Sequence, residues 1–213
     1  MPENIFKIYR PSGRGPRKGP GSWHNESEQD RFFHIKTELS RYCDKKNDYD
    51  YLDLVWHIKN AVVGDVFFSE TVYQGVLSGN YWKKYYGTGT DQDEIFKGIM
   101  SRNTKLGNGV LDEKYMEIRK WLGNKYSGES LIFEHIIPAK VYIDKLIEVY
   151  DDGLFDIGFF QSFRKKIGVC IVTKWEDDQL NDCGFRESMP PGWDWDTGDP
   201  FDRYVAAGIK IHL

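Results

Sequence analysis

Cysteine is scarce in this chain of 213 residues: Cys43, Cys170 and Cys183 are an odd number without CxxC spacing. Neither a disulfide framework nor a cysteine-rich zinc site is thereby supported, and the three thiols are expected to be buried. Long apolar runs are lacking too, since none approaches the roughly 18 residues that a membrane-spanning helix needs. The opening MPENIFKIYRPSG has no apolar signal core, so no membrane partner is expected and the cytoplasm is the expected address. No internal repeat is visible. Positive charge is in slight deficit, with 29 Lys and Arg against 33 Asp and Glu and a net charge of −4. That balance argues against a protein that coats nucleic acid non-specifically.

What is present describes a folded chain: 40% hydrophobic residues and 15% aromatic ones, enough for one hydrophobic core. The charge is unevenly spread. Residues 1–24 carry Lys7, Arg10, Arg14, Arg17 and Lys18 against Glu3, so this segment is +4 and the remaining 189 residues are −8. Its Gly, Pro and Arg content suits neither a packed helix nor a strand interior. We therefore expect a flexible basic arm over 1–24, with Arg10, Arg14, Arg17 and Lys18 as phosphate contacts, and a single globular domain over 25–213. The plainer alternative for the arm is a solvated tail.

Within the domain, Phe32, Phe33, Ile35, Leu39 and Tyr42 recur at helical spacing, and Leu52, Val55, Trp56 and Lys59 continue into a second helix. Residues 61–90 mix β-branched character with an aromatic, lysine-bearing loop, and helices are expected to open at Asp91 and Leu111. The rhythm then changes to a strand Leu131–Phe133, a helix from Pro138 to Tyr150, a strand Ile167–Thr173 and a helix from Lys174. The fold class is α+β: mostly helical in its N-terminal part, with a small two-strand-and-helix unit over 129–183 and a C-terminal helix closing over it.

The chemistry-bearing stretch is Leu131-Ile-Phe-Glu-His-Ile-Ile-Pro-Ala-Lys140. It aims Glu134 and His135 from a strand end, where a rigid element can direct side chains into a cleft. The second stretch runs from Val169 through Thr173-Lys-Trp-Glu-Asp-Asp178 to Asn181. Thr173 and Glu176 make a capping box at the start of its helix, which leaves Asp178 and Asn181 unexplained.

Glu134-His135-Ile136-Ile137-Pro138, followed by a second strand and a polar helix, resembles the ββα-metal finger of HNH (His-Me) endonucleases. The resemblance implies that His135 is the general base that deprotonates the attacking water. It also implies that Glu134 is a metal ligand, joined by Asp178 on the finger helix with Asn181 as its substitute. The family usually has Asp where Glu134 stands, Val169 lies near the place of its His-orienting Asn, and about 30 residues separate the two strands where the family often has fewer. The implied cofactor is a divalent cation, Mg²⁺ by its oxygen ligands, and the implied function is metal-dependent hydrolysis of phosphodiester bonds in nucleic acid, DNA ahead of RNA. If Glu134 and Asp178 share one cation, their oxygens lie within about 5 Å of each other. Lys140, Lys145, Arg164, Lys165, Lys166 and Lys174 cluster in sequence around the unit, and Lys140 and Lys174 are taken as nucleic-acid contacts. The alternative is a non-enzymatic nucleic-acid- or protein-binding module in which His135 is a buried, structural histidine.

The C-terminal run of Asp194, Asp196, Asp199 and Asp202 lacks the glycine and the final glutamate of an EF-hand, so it is read as turns and caps, with Asp199 capping a helix that begins at Pro200. Arg203 and Tyr204 are expected to pin that helix to the ββα unit. Ile209–Leu213 reads as an edge strand. His24, His34 and His57 stand in neither an acidic-histidine pair nor an HxxxH spacing and are assigned no chemistry.

Overall fold

The computed structural model describes residues 27–44, 50–62, 65–77 and 131–213. The arm with Arg10, Arg14, Arg17 and Lys18, the aromatic-lysine loop and the helices expected from Asp91 and Leu111 lie outside the described residues. The elements in chain order are α1 (Glu28–Cys43), α2 (Tyr51–Ala61), β1 (Asp65–Ser69), α3 (Glu70–Leu77), β2 (Leu131–His135), α4 (Ala139–Asp151), α5 (Ile157–Lys166), β3 (Gly168–Thr173), α6 (Lys174–Asp182), α7 (Asp202–Ala206) and β4 (Ile211–His212). The class is α+β, as expected, and the described part before β2 is helical apart from β1.

Helix starts follow local chemistry. Ser27 and Asp30 form a capping box before α1, Asp50 accepts from the Asp53 amide before α2, and Asp156 accepts from the Phe159 amide before α5. From α1 the stripe Phe32, Ile35 and Leu39 is buried. On α2 the buried residues are Leu54, Ile58 and Ala61, whereas Leu52 and Trp56 face solvent; the apolar stripe expected on this helix therefore corrects by about half a turn. These side chains meet Tyr142, Ile143, Leu146 and Val149 of α4 and Phe160 and Phe163 of α5 in the larger core.

The sheet has the order β2-β3-β1-β4, with β3 antiparallel to β2 and parallel to β1, and β4 antiparallel on the far edge. Every residue of β3 is buried, as a strand flanked on both edges and covered on its faces must be. A second core forms around Cys170 and Val172 of β3 with Leu180 of α6, Tyr204 of α7 and Ile209. The expected two strands followed by a helix are present as β2, β3 and α6, with the strands antiparallel, but they belong to a four-stranded sheet, with α4 and α5 inserted between them. Gly168 is a close approach between β3, β1 and the end of β2: a Cβ there would lie 2.5 Å from Ile136 Cδ1 and 2.7 Å from the Asp65 carbonyl.

Two local expectations change. The last helix starts at Asp202, because Asp199 Oδ1 accepts from the Phe201 amide at 2.8 Å in a turn before the helix rather than capping it. Of the three thiols, Cys170 is buried, Cys43 is half-buried and Cys183 is exposed.

Candidate functional site

Successive residues of a strand point to opposite faces, and this decides where the Glu-His pair goes. Glu134 pairs in register with Cys170 and His135 with Val169. The alternation continues past the strand: Ile136 joins the core under α6 and α7, while Ile137 joins the helical core of α1, α2, α4 and α5. Accordingly the His135 ring, 9% exposed, meets the edge of Tyr142 of α4 with centroids 5.8 Å apart. Glu134, on the other face, accepts a hydrogen bond from Arg203 Nη2 at 2.8 Å.

Arg203 is wholly buried and fully occupied by this corner of the fold. It donates from Nε to the Ile136 carbonyl at 2.9 Å, from Nη1 to the Phe185 carbonyl at 2.7 Å, and from Nη2 also to the His135 carbonyl. Its guanidinium carbon sits 5.0 Å from the Tyr204 ring centre. The expected pinning of α7 to the unit by Arg203 and Tyr204 is thus a network of backbone carbonyls with one carboxylate as counter-charge.

On α6 the capping box is present: Glu176 Oε2 accepts from the Thr173 amide at 2.8 Å and from its hydroxyl at 3.0 Å, and also from the buried Ser69 hydroxyl at 2.7 Å. This carboxylate ties the end of β3 to the end of β1. Asp178 is 56% exposed and forms an ion pair with Lys174 one turn earlier. Asn181 Oδ1 is buried without a hydrogen-bond donor. Glu134, His135 and Asp178 do not form a metal-holding group of three among the described residues. Glu134 is paired with a buried arginine and Asp178 with a surface lysine, and the His135 imidazole lies on the other face of the sheet from Glu134.

The basic cluster around the unit is also largely engaged. Lys174 pairs with Asp177 and Asp178, Lys145 with Glu148, and Arg164 with Glu28, while Lys166 donates to the carbonyls of Trp195 and Asp196. Lys140 and Lys165 are exposed. Trp195, from the acidic aromatic segment, stacks on Phe163 with centroids 5.4 Å apart and belongs to the core.

The structure instead assembles a group to which the sequence assigned nothing. His34 and Glu38 of α1 and His57 of α2 each offer a ligand atom within 4.8 Å of the other two. His34 Nδ1 is 3.8 Å from Glu38 Oε1, and the two imidazole rings are 6.0 Å apart by centroid. Glu38 is 3% exposed, and its Oε1 also accepts from Arg41 Nη1 at 3.0 Å. Burial pushes the His34 pKa down, outweighing the raising effect of Glu38, with the His57 and Arg41 charges adding to the depression. That direction favours the neutral imidazole, the form in which histidine binds a metal. A signal for half of this group was in the sequence: His34 and Glu38, four apart on a helix, necessarily share a face. The other half, His57, depends on how α2 packs on α1.

Among the described residues no helix is long and apolar enough to cross a membrane. Compared with known proteins, the chain matches no family model, no curated protein and no solved structure.

Proposed function

We propose that this chain is a metalloprotein whose divalent ion sits between α1 and α2 on His34, Glu38 and His57. The observation that carries this is the convergence of two imidazoles and a nearly buried carboxylate within 4.8 Å. Around one ion at about 2.0–2.2 Å, tetrahedral ligands stand roughly 3.3–3.5 Å apart, so side-chain adjustments of about 1 Å close the site. Two nitrogens and one oxygen suit Zn²⁺, whereas Mg²⁺, the ion expected from Glu134 and Asp178, prefers oxygen ligands and several waters. Three protein ligands leave a fourth position for water, which a zinc ion acidifies to a pKa of about 7. Hydrolysis is the reaction class that suits such a centre, and we attach the expected phosphodiester hydrolysis to it. The second reading, a non-enzymatic binding module, is favoured by the pairing of Glu134 with Arg203, which leaves the ββα unit as scaffold.

The test is zinc titration of the full chain. We expect one Zn²⁺ per chain, a rise in melting temperature on loading, and no comparable rise with millimolar Mg²⁺. His57→Ala, at a partly exposed position, is expected to weaken zinc binding by about 100-fold or more while the apo protein stays folded. A wild-type chain that takes up no zinc, or a His57→Ala chain that binds it as tightly, overturns the proposal.

A further inference from the structure

The metal group has a charged neighbour in Arg41. His34, Glu38 and Arg41 lie on one stripe of α1 with side chains 19%, 3% and 53% exposed, so the stripe opens to solvent at Arg41. Arg41 reaches back to Glu38 Oε1 at 3.0 Å. An ion about 2 Å from that oxygen therefore lies no more than about 5 Å from Arg41 Nη1. The charged groups acting on His34 are Glu38, His57 and Arg41. With both histidines neutral and ligating, a divalent ion and the Arg41 guanidinium would together outweigh the Glu38 carboxylate, which favours an anion at the exposed Arg41 end of the stripe.

Resting on the metalloprotein reading, we propose that the zinc ion and Arg41 together form an oxyanion site that takes a phosphoryl group. A phosphoryl group has two oxygens about 2.5 Å apart, so one can meet the ion near 2 Å while the other accepts from the guanidinium near 2.8 Å, spanning the gap. Of the five guanidinium N–H groups, Glu38 takes one, leaving the exposed edge for the ligand. The planar fork that makes arginine the usual partner of phosphate is then presented beside the open metal position. A phosphodiester bound at the open position would offset part of that positive charge, and a phosphate monoester dianion more of it.

The experiment uses the zinc-loaded full chain, with inorganic phosphate and dimethyl phosphate as probes and acetate as the planar control at constant ionic strength. We expect phosphate to bind the zinc-loaded protein and not the zinc-free one. Arg41→Ala should lose about tenfold or more in phosphate affinity while zinc affinity stays within about threefold, and Arg41→Lys should fall between. Dimethyl phosphate within tenfold of phosphate assigns the site to diesters and a larger loss assigns it to free phosphate and monoesters; either upholds the site. Equal phosphate affinity in Arg41→Ala, phosphate binding without zinc, or acetate binding as tightly as phosphate overturns it. Absence of zinc binding in the wild type brings down the metalloprotein reading and this inference together, whereas a zinc-replete protein indifferent to Arg41→Ala brings down this inference alone.

Discussion

Arg203, with no exposed side-chain surface, holds Glu134 at 2.8 Å across 69 residues of sequence. A carboxylate committed in this way is not available to a cation without leaving a guanidinium buried and unbalanced. The same arginine closes the carbonyls of His135, Ile136 and Phe185, so the strand end, the segment after α6 and α7 are one unit. The acidic-histidine pair thus stands where Arg203 joins the end of β2 to α7.

Removing Arg203 should unfold this corner. Arg203→Ala is expected to cost about 3–5 kcal/mol, because it leaves a carboxylate and several carbonyls without donors. Glu134→Gln keeps an acceptor for Nη2 and should cost less, about 1–3 kcal/mol, with zinc affinity unchanged. Urea denaturation and zinc titration of the two variants check both statements. A Glu134→Gln variant of full stability that has lost its metal would return Glu134 to the ligand set.

Acid should weaken the apo protein through His34. Its folded pKa lies below the ordinary 6.5 because burial penalises the imidazolium, so below that pH the unfolded chain binds the proton more readily than the folded one. The sign is therefore fixed: the stability present above pH 6.5 falls as the pH drops toward the depressed folded value and levels off beneath it. His34→Gln should flatten this part of the profile. The measurement is the difference in unfolding free energy between wild type and variant across pH 7 to 5. An identical slope in both would remove His34 as the source.

Gly168→Ala tests the close approach of β1, β2 and β3. The added methyl would meet Ile136 Cδ1 at 2.5 Å and the backbone oxygen of Asp65 at 2.7 Å, and the second of these cannot turn aside. A loss of about 2–3 kcal/mol is expected. Gly153→Ala, in open space but at φ +71°, should cost only about 1 kcal/mol from the left-handed backbone. Chemical denaturation that ranks the two the other way would contradict the strand packing.

The sequence by itself determined what local chemistry controls. Thr173 and Glu176 announce a helix start because the capping box closes within four residues. The run Leu131-Ile-Phe and the apolar stretch before Thr173 are strands because their β-branched and aromatic residues suit a pleated, buried surface, and together with the periodic helices they make the α+β class legible. The network of Arg203 and Tyr204 was partly legible too, as large polar side chains on a short helix next to the unit. Only the tertiary structure decided the remainder. Period 2 sends Glu134 and His135 to opposite faces once β2 is covered on both sides. Lys174 reaches Asp178 along its own helix, within a turn, yet whether a cation displaces it depends on what else approaches. Solvent covers Leu52 and Trp56 of α2 because α1 packs against Leu54 and Ile58 instead. That same packing brings His57 to His34 and Glu38, a meeting between two helices that no spacing within either of them encodes.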